Sequence, residues 1–248
     1  MTLPTCPDAV WLNVSPSFER FDHKLLGCLA RYMDVAHWAY RQTPDEPSSL
    51  DVAVTLLHDY LKGFNRPVHL MGHGTGGLVG LLYARQHPRR VSSLTLLSVG
   101  VNPTLDWQAH YYAQLERLPC DRRQVLSQMV YSLLGHKARP LVPGWVNLLE
   151  QDLLHSVSPH SLLKRVNLCP GSVAVPLLVC GGAEDTVVDP TQIEGWRPWL
   201  KRGDRIARCP GRHFFHAAYP QAVGNQILSF WGTTQEVLVS PQGFNMVS

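Results

Sequence analysis

The stretch from Arg66 to Pro88, RPVHLMGHGTGGLVGLLYARQHP, limits the possible folds more than any other part of the chain. An apolar strand-like run, PVHLM, enters a cluster of glycines at positions 72, 74, 76, 77 and 80. A helix-like segment over 77–87 follows and stops at Pro88, which cannot continue a helix. A strand that turns through glycine straight into a helix is one half of a strand–helix–strand unit. Such units build parallel sheets covered by helices.

The same alternation runs through most of the chain. DAVWLNV (Asp8 to Val14) reads as a strand closed by Ser15-Pro16-Ser17. Phe21, Leu25, Leu29 and Tyr32 fall at helical spacing, and Val35 to Tyr40 forms a short strand before the turn-rich RQTPDEPSS. A helix comes next, with Ser48 and Asp51 as a capping-box pair and Ala53, Leu57, Leu61 and Phe64 as its buried stripe. VSSLTLLSV (Val91 to Val99), AVPLLVCGG and DRIARC read as further strands. The last helix carries Val223, Ile227, Phe230 and Trp231 on one face after Pro220. The expected class is α/β, a mostly parallel sheet flanked by helices.

Between Gly100 and Gly171 the rhythm changes. Four helix-like pieces, DWQAHYYAQLERL, DRRQVLSQMVYSLLG, GWVNLLEQDLL and SPHSLLKRV, succeed one another without a convincing strand. The chain therefore divides into a core over 1–100 and 172–248 and an all-helical insertion over 101–171. Open α/β sheets bind ligands at the C-terminal ends of their strands, so the insertion is expected to sit there as a cap. A helical layer that only pads the core is the alternative. Trp107, Tyr111 and Trp145 of the insertion, with Ser15 at the first strand end, are the candidate lining of an apolar pocket.

Composition narrows the function classes. A chain of 248 residues, 45% of them hydrophobic, can bury a large core as one unit. A net charge of +3 with scattered Lys and Arg gives no footprint for nucleic acid. No apolar run approaches the roughly 20 residues of a membrane span. The start, MTLPTCPDAV, lacks the basic and apolar regions of a signal peptide. The six cysteines (6, 28, 120, 169, 180 and 209) form no C-x-x-C pair and read as reduced thiols, which points to the cytoplasm. The sequon Asn13-Val14-Ser15 is then a chance match. The sequence carries no sign of oligomeric state.

Three segments, in this order, carry a resemblance. Gly72-His73-Gly74-Thr75-Gly76 lies where a nucleophile elbow would read G-x-S-x-G, with glycine in the central position. PLLVCGGAEDTVVDP is similar to the penultimate-strand segment that bears a catalytic acid, and CPGRHFFHAAYPQAV to the segment that bears a catalytic histidine. Over nearly its whole length the chain resembles the cap-bearing α/β-hydrolase superfamily. The resemblance implies a remaining dyad of His213 and Asp185, a vacant nucleophile position at Gly74, and the backbone N–H of Thr75 as half of an oxyanion hole.

Two further stretches depart from the family pattern. LNVSPSFERF has neither His nor Gly where members follow the first strand with His-Gly, and HWAYRQTPDEPSS lacks the Asp that precedes Gly-x-Gly. Pro16 carries no N–H to offer an oxyanion. An elbow forces its central residue into a sparsely allowed conformation, and glycine relieves that strain once the hydroxyl is no longer used. The Thr75 hydroxyl points away from the elbow's apex in such a turn. His73 reads as packing, and Cys180 as core.

The implied function is a non-hydrolytic α/β-hydrolase-fold protein that binds a small apolar ligand or a protein partner in or near the cap pocket. The alternative is an enzyme whose His213/Asp185 dyad acts as general base on water or a bound ligand without a covalent intermediate. A third reading is weak residual hydrolysis. No cofactor is expected. A metal held by His213, His216 and Asp185 fits no strong zinc pattern, so no metal is expected either.

Overall fold

The computed structural model describes residues 6–43, 45–46, 48–135, 141–160 and 169–239, with side chains through 232. Six strands form one sheet: β1 (Ala9–Asn13), β2 (Val35–Ala39), β3 (Val68–His73), β4 (Val91–Leu97), β5 (Leu177–Gly182) and β6 (Arg205–Cys209). Their order is β2-β1-β3-β4-β5-β6, and every neighbouring pair is parallel. A parallel pair needs a crossover, and helices supply it: α1 (His23–Leu29), α2 (Leu50–Leu61) and α3 (Gly74–Gln86) connect the first four strands. α4 (Trp107–Arg117), α5 (Arg122–Leu134) and α6 (Val142–His155) lie between β4 and β5. α7 (Pro190–Glu194), α8 (Phe215–Ala218) and α9 (Pro220–Val239) complete the order.

Side chains alternate across a strand, so each strand feeds two apolar layers. Val10 and Leu12 of β1 join Leu70, Leu94, Leu96 and Val179 on one face, packed under α2 and α3. Ala9 and Trp11 join Met71, Leu97, Leu178 and Cys180 on the other, under Leu25 and Leu29 of α1 and Val223, Ile227, Phe230 and Trp231 of α9. Both faces are covered, which is why strands β3, β4 and β5 are apolar runs and not alternating ones.

Several boundaries differ from the sequence reading. α2 is capped by Ser49, whose hydroxyl accepts from the Val52 N–H, while Ser48 turns to Gln42. α1 ends at Leu29, so Tyr32 leaves the stripe and is 67% exposed. Pro16–Phe21 winds into a 3₁₀ turn where the sequence suggested only a strand end. α3 starts at Gly74 itself, three residues earlier than its composition suggests. The reason is Gly76: a Cβ there would lie 2.3 Å from the Leu12 carbonyl oxygen, so only glycine lets this helix start so close to β1. Of the four helical pieces expected between β4 and β5, three are α4, α5 and α6. The fourth, SPHSLLKRV, falls mainly outside the described residues. The last helix continues to Val239; the side chains of Val237, Leu238 and Val239 lie outside the described set, as does the backbone beyond.

Candidate functional site

The strand order reverses direction between β1 and β3, and the crevice beyond their C-terminal ends is where open α/β sheets hold ligands. Asn13 ends β1 and His73 ends β3, so the next residues of both strands face that crevice. Gly74 stands at the turn with φ +52°, and a Cβ built on it would meet no atom within 4 Å. The left-handed backbone is unfavourable for a residue with a Cβ, while the space above it is open.

Asp185 and His213 arrive from the loops after β5 and β6. Both are buried, at 2% and 3% exposure. His213 Nδ1 donates to Asp185 Oδ2 at 2.9 Å. Ser98, at the end of β4, donates its hydroxyl to the same oxygen at 3.0 Å and sits 3.2 Å from the His213 carbonyl. The other carboxylate oxygen accepts the backbone N–H of Val187 (2.9 Å) and Val188 (3.1 Å). Burial pushes the Asp185 carboxyl up, but the charge and ring N–H of His213 and the two backbone N–H groups outweigh it. The net effect holds Asp185 below the ordinary carboxylate value. It is thus a fully hydrogen-bonded anion, and it fixes His213 with Nε2 as the outward ring nitrogen.

A second, unforeseen pair lies beneath. Asp22 accepts from Trp11 Nε1 and Asn13 Nδ2, both at 2.8 Å, and from His216 Nε2 at 3.2 Å. His73 stands between the two dyads, its ring centre 4.7 Å from that of His213 and 4.6 Å from that of His216. His73 Nε2 donates to the His213 carbonyl at 3.0 Å. Burial, then the neighbouring His216 and His213, hold His73 well below the usual imidazole range, so it is neutral. Among the described residues no group of three or more His, Cys, Asp or Glu is placed to hold a metal ion.

Asn13 also reaches forward: its Oδ1 accepts the Ser15 N–H at 2.8 Å. The backbone donor next to the first strand end is therefore occupied, and Pro16 beyond it has none.

These groups surround a cavity of about 40 Å³, room for about three water molecules. Of the residues singled out from sequence, Ser15, Gly74, Thr75, Trp107 and His213 line it, and Asp185 backs it through His213. Tyr111 and Trp145 do not. Tyr111, one helical turn beyond Trp107, is buried against Tyr112, and Trp145 stacks outward on Phe21. Nor is the lining uniformly apolar. Two buried carboxylates, Asp106 and Asp152, contribute to it together with Gln108.

Asp106 caps α4 through the Ala109 N–H (2.8 Å) and accepts from Ser158 (2.5 Å). Asp152 of α6 accepts from Trp107 Nε1 (2.9 Å), Gln108 Nε2 (3.3 Å) and Ser156 (2.5 Å). Burial pushes both carboxyls up, Asp152 to about 6 despite those hydrogen bonds, and Asp106 adds to the rise. Sequence reasoning missed Ser98, Asp22, Asp106 and Asp152. Only Ser98 left a signal, as a polar residue ending the strand beside the acid's strand.

The alpha/beta hydrolase fold family matches residues 62–128, the span that holds β3, α3 and β4. An uncharacterized protein of Synechocystis is 45% identical over 234 residues, covering 94% of this chain and 93% of that one. An uncharacterized protein of Nostoc is 41% identical and covers 90% of each chain. Among solved structures, an enol-lactonase from Burkholderia xenovorans superimposes with a TM-score of 0.67 at 16% identity over 94% of each chain. A hydrolase from Pseudomonas aeruginosa gives 0.63 at 22%, over 90% of this chain and 89% of that one.

Proposed function

We propose that this chain, whose residues 62–128 match the alpha/beta hydrolase fold family, is a member of that superfamily without a nucleophile, which forms no acyl-enzyme and acts by binding a small molecule beside His213. One observation carries this reading. The turn between β3 and α3 keeps the left-handed apex of an elbow, yet the apex residue is Gly74, with no atom to attack a carbonyl. The hydrogen bond from Ser15 N–H to Asn13 supports it, since it withdraws a backbone donor from the place where an oxyanion would sit. In this reading 101–171 is a cap over a core made of 1–100 and 172–248. Asp185 and His213 are the retained dyad and Thr75 N–H the retained oxyanion donor.

The ligand inferred from the lining is small. It has an apolar part against Phe18, Trp107, Val157 and Phe214, and at least one hydrogen-bonding group toward Ser15, Gln108 or His213. A purely apolar ligand suits this cavity less well than the sequence suggested, because buried carboxylates share its wall. The absence of any disulfide among the six cysteines is in keeping with a reducing compartment, where we place the protein. No described helix is long and apolar enough to cross a membrane.

A second reading is favoured by the completeness of the dyad: His213, oriented by Asp185, removes a proton from water or from a bound ligand without a covalent intermediate. Four measurements separate the possibilities. Short-chain esters are expected to show no turnover above buffer, and a fluorophosphonate probe no labelling. Adduct formation at any side chain overturns the proposal. Mass spectrometry of small molecules released from the purified protein identifies the occupant. With that molecule in hand, His213→Ala changes affinity only modestly under the binding reading and abolishes its conversion under the second.

A further inference from the structure

Outside the cavity, Arg20, Phe21, Lys24, Leu134, Trp145 and Phe214 form an open groove of about 380 Å³ against α8. We propose that this groove is a binding site for a free amphiphilic carboxylate, with an aromatic or alkyl body and one anionic head.

The body's site is a stack of flat rings. Phe21 lies between Trp145 (centres 5.4 Å apart, planes 17° apart) and Phe214 (4.2 Å, 15°). The Arg20 guanidinium lies over the same rings, 4.1 Å from the centre of Trp145 and 5.7 Å from that of Phe21. Such a wall offers planar apolar surface at low entropic cost, because aromatic side chains have few rotamers to lose. Trp145 was expected to line the ligand pocket, and it does line a groove, but a different one from the cavity at Gly74.

The head's site is cationic. Among the described residues no carboxylate lines the groove, and neither Arg20 nor Lys24 has an ion-pair partner. The adjacent Glu19 points to Arg41 at 3.6 Å. Two unpaired cations, Arg20 over the rings and Lys24 on the groove wall, attract an anion and repel a cation, and a guanidinium can hold a carboxylate with two parallel hydrogen bonds. In addition, Trp145 Nε1 is a buried donor with no acceptor among the described residues. Phe214 faces both this groove and the inner cavity, so a body seated here touches the residue next to His213.

The site is independent of the assignment of Gly74, and its test separates the two. The purified protein is titrated with sodium decanoate and with 2-naphthoate, followed by calorimetry and tryptophan fluorescence, against decanol and 2-naphthylmethylamine as neutral and cationic controls. Saturable binding of the carboxylates is expected, at least tenfold tighter than that of the controls, which corresponds to about 1.4 kcal/mol. Arg20→Glu with Lys24→Glu is expected to weaken it tenfold or more while lowering Tm by no more than about 2–4 °C, the cost of the lost contact between Arg20 and Trp145. Trp145→Phe is expected to retain binding but lose most of the fluorescence response. Equal affinity for the controls, an unchanged affinity in the charge-reversed variant, or no saturation up to about 10 mM overturns the proposal. So does co-sedimentation with vesicles of phosphatidylcholine and phosphatidylglycerol in the absence of any free-carboxylate binding, which assigns the cations to a lipid surface instead.

Discussion

At the scale of single residues, two glycines in one pentapeptide do opposite work. Gly74 has open space above it but a left-handed backbone that strains any residue with a Cβ, whereas Gly76 has no space at all. Gly74→Ala is therefore expected to cost about 1 kcal/mol, a Tm loss of about 2–4 °C. Gly76→Ala drives a methyl into the Leu12 carbonyl and should cost about 3 kcal/mol or prevent folding. Calorimetry of the two variants checks the order, and the reverse order refutes this account of the turn. Gly74→Ser meets only the strain, so it should fold and yet hydrolyse esters feebly, because Asn13 still occupies the Ser15 N–H. Adding Asn13→Ala frees that donor. If one oxyanion donor is worth what it is elsewhere, ester turnover should rise about 100-fold over Gly74→Ser alone. Equal rates in the two variants show that Ser15 is no oxyanion donor.

At the scale of elements, the join between α4 and α6 rests on a carboxylate that burial disfavours. Asp152 rises from 3.8 to about 6, so between those pH values the native state holds a proton that the unfolded chain has released. Its contribution to stability is thus fully present below about pH 4 and is lost as pH climbs through 6, a change of order 3 kcal/mol. Asn at this position can accept from Trp107 and Gln108 and donate to Ser156. Urea unfolding of the parent and of Asp152→Asn at pH 4 to 7.5 should show the stability difference moving in the variant's favour as pH rises. A constant difference means the carboxyl is ionised throughout.

This join was invisible in the sequence, and the reason is distance along the chain. Trp107 and Asp152 are 45 residues apart, and Asp22 and His216 are 194 apart. Neither partner sits in a local pattern that names the other. By contrast β1, β3, β4 and β5 announce themselves as apolar runs, because both of their faces are buried, and α9 does so by its one-sided stripe. The Asp185–His213 contact was legible only through resemblance, and Ser98, which holds both, showed only as a polar residue at a strand end. Caps failed by one residue, at Ser48 against Ser49, where two adjacent serines offer the same chemistry and only backbone geometry chooses.

For the whole molecule, a bound ligand should be felt as global stability. A compound that occupies the cavity at 100 times its Kd adds about 2.7 kcal/mol, a Tm rise of about 5–10 °C for a chain of this size. A thermal-shift screen reads that directly, and filling the cavity by Gly74→Leu should abolish the shift. A library in which hits respond equally in both proteins places the ligand elsewhere. The hydrogen bond between Asn13 and Ser15 also has a historical meaning on the proposed reading. A lineage regaining serine at the apex meets a donor already engaged, and one losing Asn13 first unsettles the Asp22 anchor with nothing gained. Neither first step is rewarded, so the change works as a ratchet: descendants can drift toward new ligands, while the road back to ester cleavage stays closed.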